Sequence, residues 1–249
     1  LNPKADISVK YLPEGKIIDA FFDGKVKTIT ITRDFTKAEK KYLKNKNVEV
    51  SSDRIALDAV ALIVHPENTD TTISIARLRI ILTDKNSVWP TSKQAISVVF
   101  DQMNSANFNY IMDMLQTKKL ATNVFAATSN EEVINYVKKN KNAIGIIGLN
   151  WISDKDDSKM KGFLNRIKVV EVIPRKITYE SLTYKPIQAN VAIRQYPFCR
   201  EIFVIGRQAS LTLGNDFINY IIGDQGQRII LKAGLVPAKA PIRILQITK

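Results

Sequence analysis

Histidine and cysteine occur once each in the 249 residues, as His65 and Cys199. A lone cysteine excludes an internal disulfide and any Cys-rich metal site. A lone histidine leaves no His-Glu-x-x-His zinc helix and no histidine pair for acid/base work. The sequence also has no Gly-x-Ser-x-Gly nucleophile elbow and no Gly-rich phosphate loop ending in Lys-Ser/Thr. The glycines of "GIIGLN" and "GDQGQR" are too closely spaced and wrongly placed for a dinucleotide fingerprint. No apolar run approaches the 18 or so residues of a membrane-spanning helix. The opening "LNPKADISVKYLP" reads as a turn and then a strand, not as a secretory signal. Leu-Asn-Pro resembles the middle of a longer chain, so upstream sequence is expected.

These absences leave little for catalysis. Cys199 sits in the apolar stretch "YPFCREIFVI" and reads as a small buried residue. His65, in "IVHPEN", reads as a hydrogen-bonded loop residue at a strand end. Asp53 and Asp58 are close enough in sequence to pair, but most acidic residues fall at caps and solvated faces. The expectation is a protein that is not an enzyme and needs neither metal nor organic cofactor.

What the chain has in excess is positive charge: 37 Lys and Arg against 24 Asp and Glu, a formal +13. Such a balance suits nucleic acid, an acidic membrane surface or small anions. The lysines are spread along the chain. The densest run, "KAEKKYLKNKN", follows a capping box, Thr36-x-x-Glu39, and reads as the solvated face of a helix. No nucleic-acid module signature accompanies the charge, so nucleic acid is not an expected partner.

Apolar residues make up 45% of the chain, enough for more than one core, and strand-like and helix-like segments alternate throughout. "DISVKYL" reads as a strand, "EGKIIDAFFDG" as a helix ending at Gly24, and "VKTITIT" as an alternating strand. "IALDAVALIVHPEN" is a long apolar strand stopped by Pro66, and "TISIARLRIILT" a short amphipathic helix. A second capping box, Ser129-x-x-Glu132, opens the helix "SNEEVINYVKKN", and "AIGIIGL" is a buried strand. "RIKVVEVIPR" and "ANVAIRQYPFCREIFVIG" read as strands, the latter broken by Pro197. Two helices, "GNDFINYIIG" and "DQGQRIILKAG", and a short strand, "IRILQI", complete the series. The pattern is α/β with mostly parallel pairing expected.

Open α/β sheets bind ligands at the carboxyl ends of strands, where helices begin. Two such places stand out. Thr32-Arg33 follows the strand ending "TITI". Asp101-Gln102-Met103-Asn104-Ser105-Ala106-Asn107 separates the strand "ISVVF" from the helix starting near Phe108. The first turn of a helix leaves amide N–H groups unpaired and partly positive. Small hydroxyl and amide side chains there either cap the helix or leave room for an anion to do so.

Several stretches together resemble the phosphate-binding solute-binding proteins of ABC transporters, members of the type II periplasmic binding protein superfamily. They are "TITRDFTKAEKKYL", "IALDAVALIVHPEN", "TISIARLRIILTDKNSVW", "AIGIIGLNW", "YPFCREIFVI" and "FINYIIGDQGQRIILKAGLVPA", in the family's order across nearly the whole chain. The resemblance implies two lobes with mostly parallel sheets, joined by two hinge crossings. Lobe one is expected at residues 1–90 with 202–249, lobe two at 91–201, and the hinge near Pro90–Thr91 and Arg200–Ile202. The family's first strand, anion-contacting loop and first helix should precede residue 1.

By the same resemblance the site is an oxyanion cradle of hydroxyls, first-turn amides and an Arg. The expected ligand residues are Thr32, Arg33, Asn104, Ser105, Ala106 and Asn107. The family pattern Arg-x-x-Gly-Ser-Gly-Thr falls on Asp101 to Asn107: Ser105 matches, Asn107 stands where Thr is usual, and Asp101 replaces the Arg. That reversal of charge argues against tight binding of a doubly charged phosphate. Arg33 is expected either to supply the missing cation, as a bidentate donor, or to pair with Asp101. The implied protein is a monomer in the periplasm, lipid-anchored by an upstream signal segment, that passes phosphate or a similar oxyanion to a transporter permease. The alternative is the same fold serving as a scaffold or interaction module of an envelope complex, with little or no anion binding.

Overall fold

The computed structural model describes residues 6–154, 156–174, 182–208 and 213–239. In chain order the elements are α1 (Glu14–Phe22), β1 (Thr28–Ile31), α2 (Lys37–Asn45), β2 (Val50–Val64) and β3 (Thr72–Ser74). Then come α3 (Ile75–Thr83), β4 (Ser97–Phe100), α4 (Ala106–Leu115), β5 (Val124–Ala126), α5 (Asn130–Lys139) and β6 (Ala143–Gly148). The rest are α6 (Ser158–Leu164), β7 (Lys168–Val169), β8 (Glu171–Ile173), α7 (Gln188–Ala192), β9 (Cys199–Arg207), α8 (Leu213–Ile222), α9 (Asp224–Lys232) and β10 (Val236–Pro237).

Packing divides the chain into two compact units, Leu1–Leu57 with Glu201–Lys249, and Asp58–Arg200. In the first unit, β1 pairs antiparallel with β9 (Ile29 opposite Ile205), and β10 pairs antiparallel with the middle of β2 (Val236 opposite Leu57). The alternation of β1 sends Ile29 and Ile31 inward, where they pack with Ile18 and Phe21 of α1, Phe35, Leu43 of α2 and Ile205. A second cluster joins Ile55, Ala56, Val204 and Ile218 under α8 and α9. In the second unit, the later half of β2 pairs antiparallel with β6, while β4 runs parallel to both β6 and β5. A separate parallel pair joins β3 to β8. The second unit's sheet is buried on both faces, so β6 reads AIGIIG with every residue buried.

The α/β class stands, with pairing that is parallel around β4 and antiparallel along β2. The chain passes from the first unit to the second inside β2, between Leu57 and Asp58. The reason is β2 itself, 15 residues long, whose pairing partner changes from β10 to β6 midway. The segment from β3 to Trp89 belongs to the second unit. There Ala121 N–H donates to the Leu82 carbonyl, and the buried Trp89 indole donates to the Asn142 carbonyl at 3.1 Å.

Three expectations about single elements change. Residues 6–12, read as a strand, form no strand in the structure. Ala189 to Ala192, read as strand, is helical in α7, and only the part from Cys199 is strand. "TISIARLRIILT" splits into β3 and α3 because Ser74 caps the helix, its hydroxyl accepting the Arg77 amide at 3.1 Å. The expected strand "IRILQI" lies outside the described residues. Among the described residues no helix is long and apolar enough to cross a membrane.

Candidate functional site

Each unit carries one of the sequence-predicted anion segments and is described by itself. In the first unit, Thr32 and Arg33 form the turn between β1 and α2. The buried faces of Ile31 and Phe35 fix this turn from either side. The Thr32 amide and hydroxyl both donate to one oxygen of Glu14, Oε2, at 2.8 and 2.6 Å. Glu14 is the first residue of α1 and is only 8% exposed. Arg33 makes a bidentate pair with Glu39, Nη1 to Oε2 at 2.7 Å and Nη2 to Oε1 at 2.8 Å. Its Nε lies 3.8 Å from Glu14 Oε1. Glu39 is also the capping-box residue of α2, accepting the Thr36 amide at 2.6 Å. The Arg33 guanidinium, with help from Thr36 and against the effect of burial, holds the Glu39 carboxyl down at about 2. Arg33 is thus engaged by carboxylates of its own unit, Glu39 and Glu14.

In the second unit, β4 ends at Phe100 and the chain turns through Asp101 to Asn104. Asn104 takes a left-handed conformation, φ 62°. Ser105 is the N-cap of α4: its hydroxyl oxygen accepts the Phe108 amide at 3.1 Å and its hydroxyl hydrogen goes to Asp101 Oδ1 at 2.6 Å. Asn107 Nδ2 donates to Asp101 Oδ2 at 3.1 Å and to Asn130 Oδ1 at 3.3 Å. Asn130 Nδ2 donates to the same Asp101 oxygen at 3.3 Å. Asn130 Oδ1 also accepts the Gly148 amide at 3.2 Å. The structure therefore brings Ser105 and Asn107 together, around the carboxylate of Asp101. Asn104 presents its carbonyl to the Asn109 side chain, and Ala106 contributes only its place in the first turn. Asn107, 4% exposed, keeps an Oδ1 with no hydrogen-bond partner.

Beside this cluster stands a buried ion pair that sequence reasoning missed. Arg200 donates Nε and Nη2 to Asp58 Oδ2 at 2.9 and 2.7 Å, with side chains 7% and 3% exposed. Arg200 Nη1 and Asp58 Oδ1 have no partner. A Cβ on Gly148 would lie 2.5 Å from Asn150 Oδ1, 3.5 Å from Arg200 Nη2 and 3.7 Å from Asn107 Oδ1, so three polar side chains converge on that bare Cα. A signal was present: "IALDAVALIV" holds Asp58 as its one charge inside an apolar strand, a carboxylate that needs a partner when buried, and "YPFCREIFVI" offers Arg200, next to Glu201. Glu14 was missed because a carboxylate in a first turn is ordinary on dipole grounds alone.

The remaining reactive groups are quiet. Burial pushes the Cys199 thiol up to about 11, and its Sγ points at the Tyr196 carbonyl, 2.9 Å away. Burial likewise raises the Tyr110 phenol, which donates to the Cys199 carbonyl at 2.8 Å. His65 Nδ1 accepts the Glu67 amide, as a loop histidine should. Among the described residues no three His, Cys, Asp or Glu side chains are grouped to hold a metal ion. Two clefts, of about 560 Å³ beside Ser51 and Asn219 and about 350 Å³ beside Asp70 and Asn142, include none of the six predicted residues.

The chain is similar to several known proteins. The phosphate-binding protein PstS of Staphylococcus aureus strain RF122/ET3-1 is 25% identical over 246 residues, covering 94% of this chain and 70% of that relative. The USA300 strain's PstS gives the same figures. A phosphate ABC transporter substrate-binding protein of Clostridium perfringens, solved with bound phosphate, superposes with TM-score 0.77 at 22% identity, over 96% of this chain and 90% of that one. An ABC-type phosphate transport receptor of Vibrio cholerae gives 0.71 at 17% identity, over 94% and 89%. At these identities the two structures establish the type II periplasmic-binding fold. The model of the PBP superfamily domain matches residues 1–225, and the chain accordingly belongs to the PBP superfamily.

Proposed function

We propose that the chain is the solute-binding component of an ABC-type uptake system and takes phosphate or a related oxyanion. The observation that carries this reading is Ser105 at the head of α4, where a hydroxyl and first-turn amides meet. It does so in a chain matched over 94% of its length by relatives named phosphate-binding proteins. Thr32, with an amide and a hydroxyl donated to one oxygen, is the second donor set. The protein works by binding and not by catalysis: ligand favours the conformation that holds it better, and that conformation engages the permease. On this reading it acts as a monomer outside the cytoplasmic membrane, held there by a lipid anchor, and its two lobes correspond to the two compact units.

A second reading has its own support. Arg33 is tied to Glu39, and Asp101 holds the donors of Ser105 and Asn107. That pattern suits a module of an envelope complex with little anion binding. Calorimetric titration of phosphate into phosphate-stripped protein, with sulfate for comparison, separates the two. Saturable one-site binding that is lost in Ser105→Ala is expected from an oxyanion carrier. No heat and no thermal shift with either anion, in wild type and Ser105→Ala alike, would favour the module.

A further inference from the structure

In each unit, taken separately, the groups best suited to hold an oxyanion are already held by a carboxylate of the same unit. Thr32 offers an N–H and an O–H that converge at 2.8 and 2.6 Å on Glu14 Oε2. Ser105 and Asn107 offer an O–H and an N–H to the two oxygens of Asp101, at 2.6 and 3.1 Å. Two donors closing on a carboxylate oxygen make the same arrangement that would grip an oxygen of a bound anion. The second cluster also has groups with unused capacity. Asn107, 4% exposed, has Oδ1 without a partner, and Arg200, 7% exposed, has Nη1 without one.

We infer that Glu14 and Asp101 are specificity-determining residues, internal anions that compete with an incoming oxyanion for its own donors. This rests on the oxyanion reading above. A ligand that takes the Thr32 or Ser105 donors exchanges one set of charge-assisted hydrogen bonds for another, which gives little net gain. It also leaves the displaced carboxylate poorly solvated, since Glu14 is nearly buried, and sets a second negative charge beside it. The repulsion between the two anions grows with ligand charge. The pair therefore disfavours doubly charged oxyanions relative to singly charged ones and keeps affinity for phosphate low at neutral pH.

Removing either charge while keeping the shape tests this. Glu14→Gln and Asp101→Asn, with Glu14→Ala and Asp101→Ser should either isostere fail to fold, are titrated with phosphate and with sulfate beside the wild type, and folding is checked by thermal melting. The expected result is phosphate binding about tenfold tighter or more in each folded variant, equivalent to about 1.4 kcal/mol, with sulfate gaining at least as much. Wild-type binding with no gain, or a loss, in variants that melt like wild type would overturn the inference and leave the oxyanion reading standing. No binding of either anion by wild type or any folded variant would overturn both.

Discussion

Arg33, for which the sequence leaves open a bound oxyanion or Asp101 as partner, makes its bidentate pair with Glu39. The linkage has a definite sign. Glu39 sits at about 2 in the folded protein against an ordinary 4.5, so its contribution is complete above about 4.5 and is lost as pH falls toward 2. Arg33 is 40% exposed and screened by solvent, so the contribution stays within about 1 kcal/mol. Arg33→Ala is expected to melt below wild type at neutral pH. The gap should close as pH is lowered from 4.5 to 2, as measured by melting temperature against pH. Asp58 and Arg200 are a different case, because both are buried. Deleting one charge strands the other, so Asp58→Asn or Arg200→Met should lose about 3–5 kcal/mol in urea unfolding, whereas replacing both by apolar residues should lose less.

At the scale of elements, the helix starts were the most legible features. Thr36 and Ser129 cap α2 and α5 as their spacing implied, because capping is settled within four residues. Even so, the Glu132 carboxylate closes on the Thr128 amide and hydroxyl, one residue before the cap. α7 was not legible: five residues are too few for a helical period to show, and the neighbouring apolar run "YPFCREIFVI" suggested strand throughout. β6 shows why a strand carries a glycine in mid-run. A Cβ on Gly145 would lie 2.7 Å from Val133 Cγ1, 2.8 Å from Ile63 Cγ1 and 2.8 Å from Val137 Cγ2. Gly145→Ala is therefore expected to lower stability by about 1–3 kcal/mol through overpacking between β6, β2 and α5, read as a lower denaturation midpoint at unchanged slope.

For the whole molecule, the sequence by itself determined the α/β class. It also marked the two strand-to-helix junctions, β1 to α2 and β4 to α4, since these depend on composition and on patterns a few residues long. The formal +13 belongs here too: it favours small anions near the protein as a whole without saying which group receives them. Tertiary structure alone decided where the chain passes between units. The apolar run of β2 looks uniform in sequence, and only its change of partner from β10 to β6 marks the crossing. Tertiary structure also decided what the donors hold. Glu14 and Thr32 are 18 residues apart, Asp58 and Arg200 142 apart. Whether a hydroxyl faces a ligand or a carboxylate of its own chain depends on contacts formed only when such distant segments fold together.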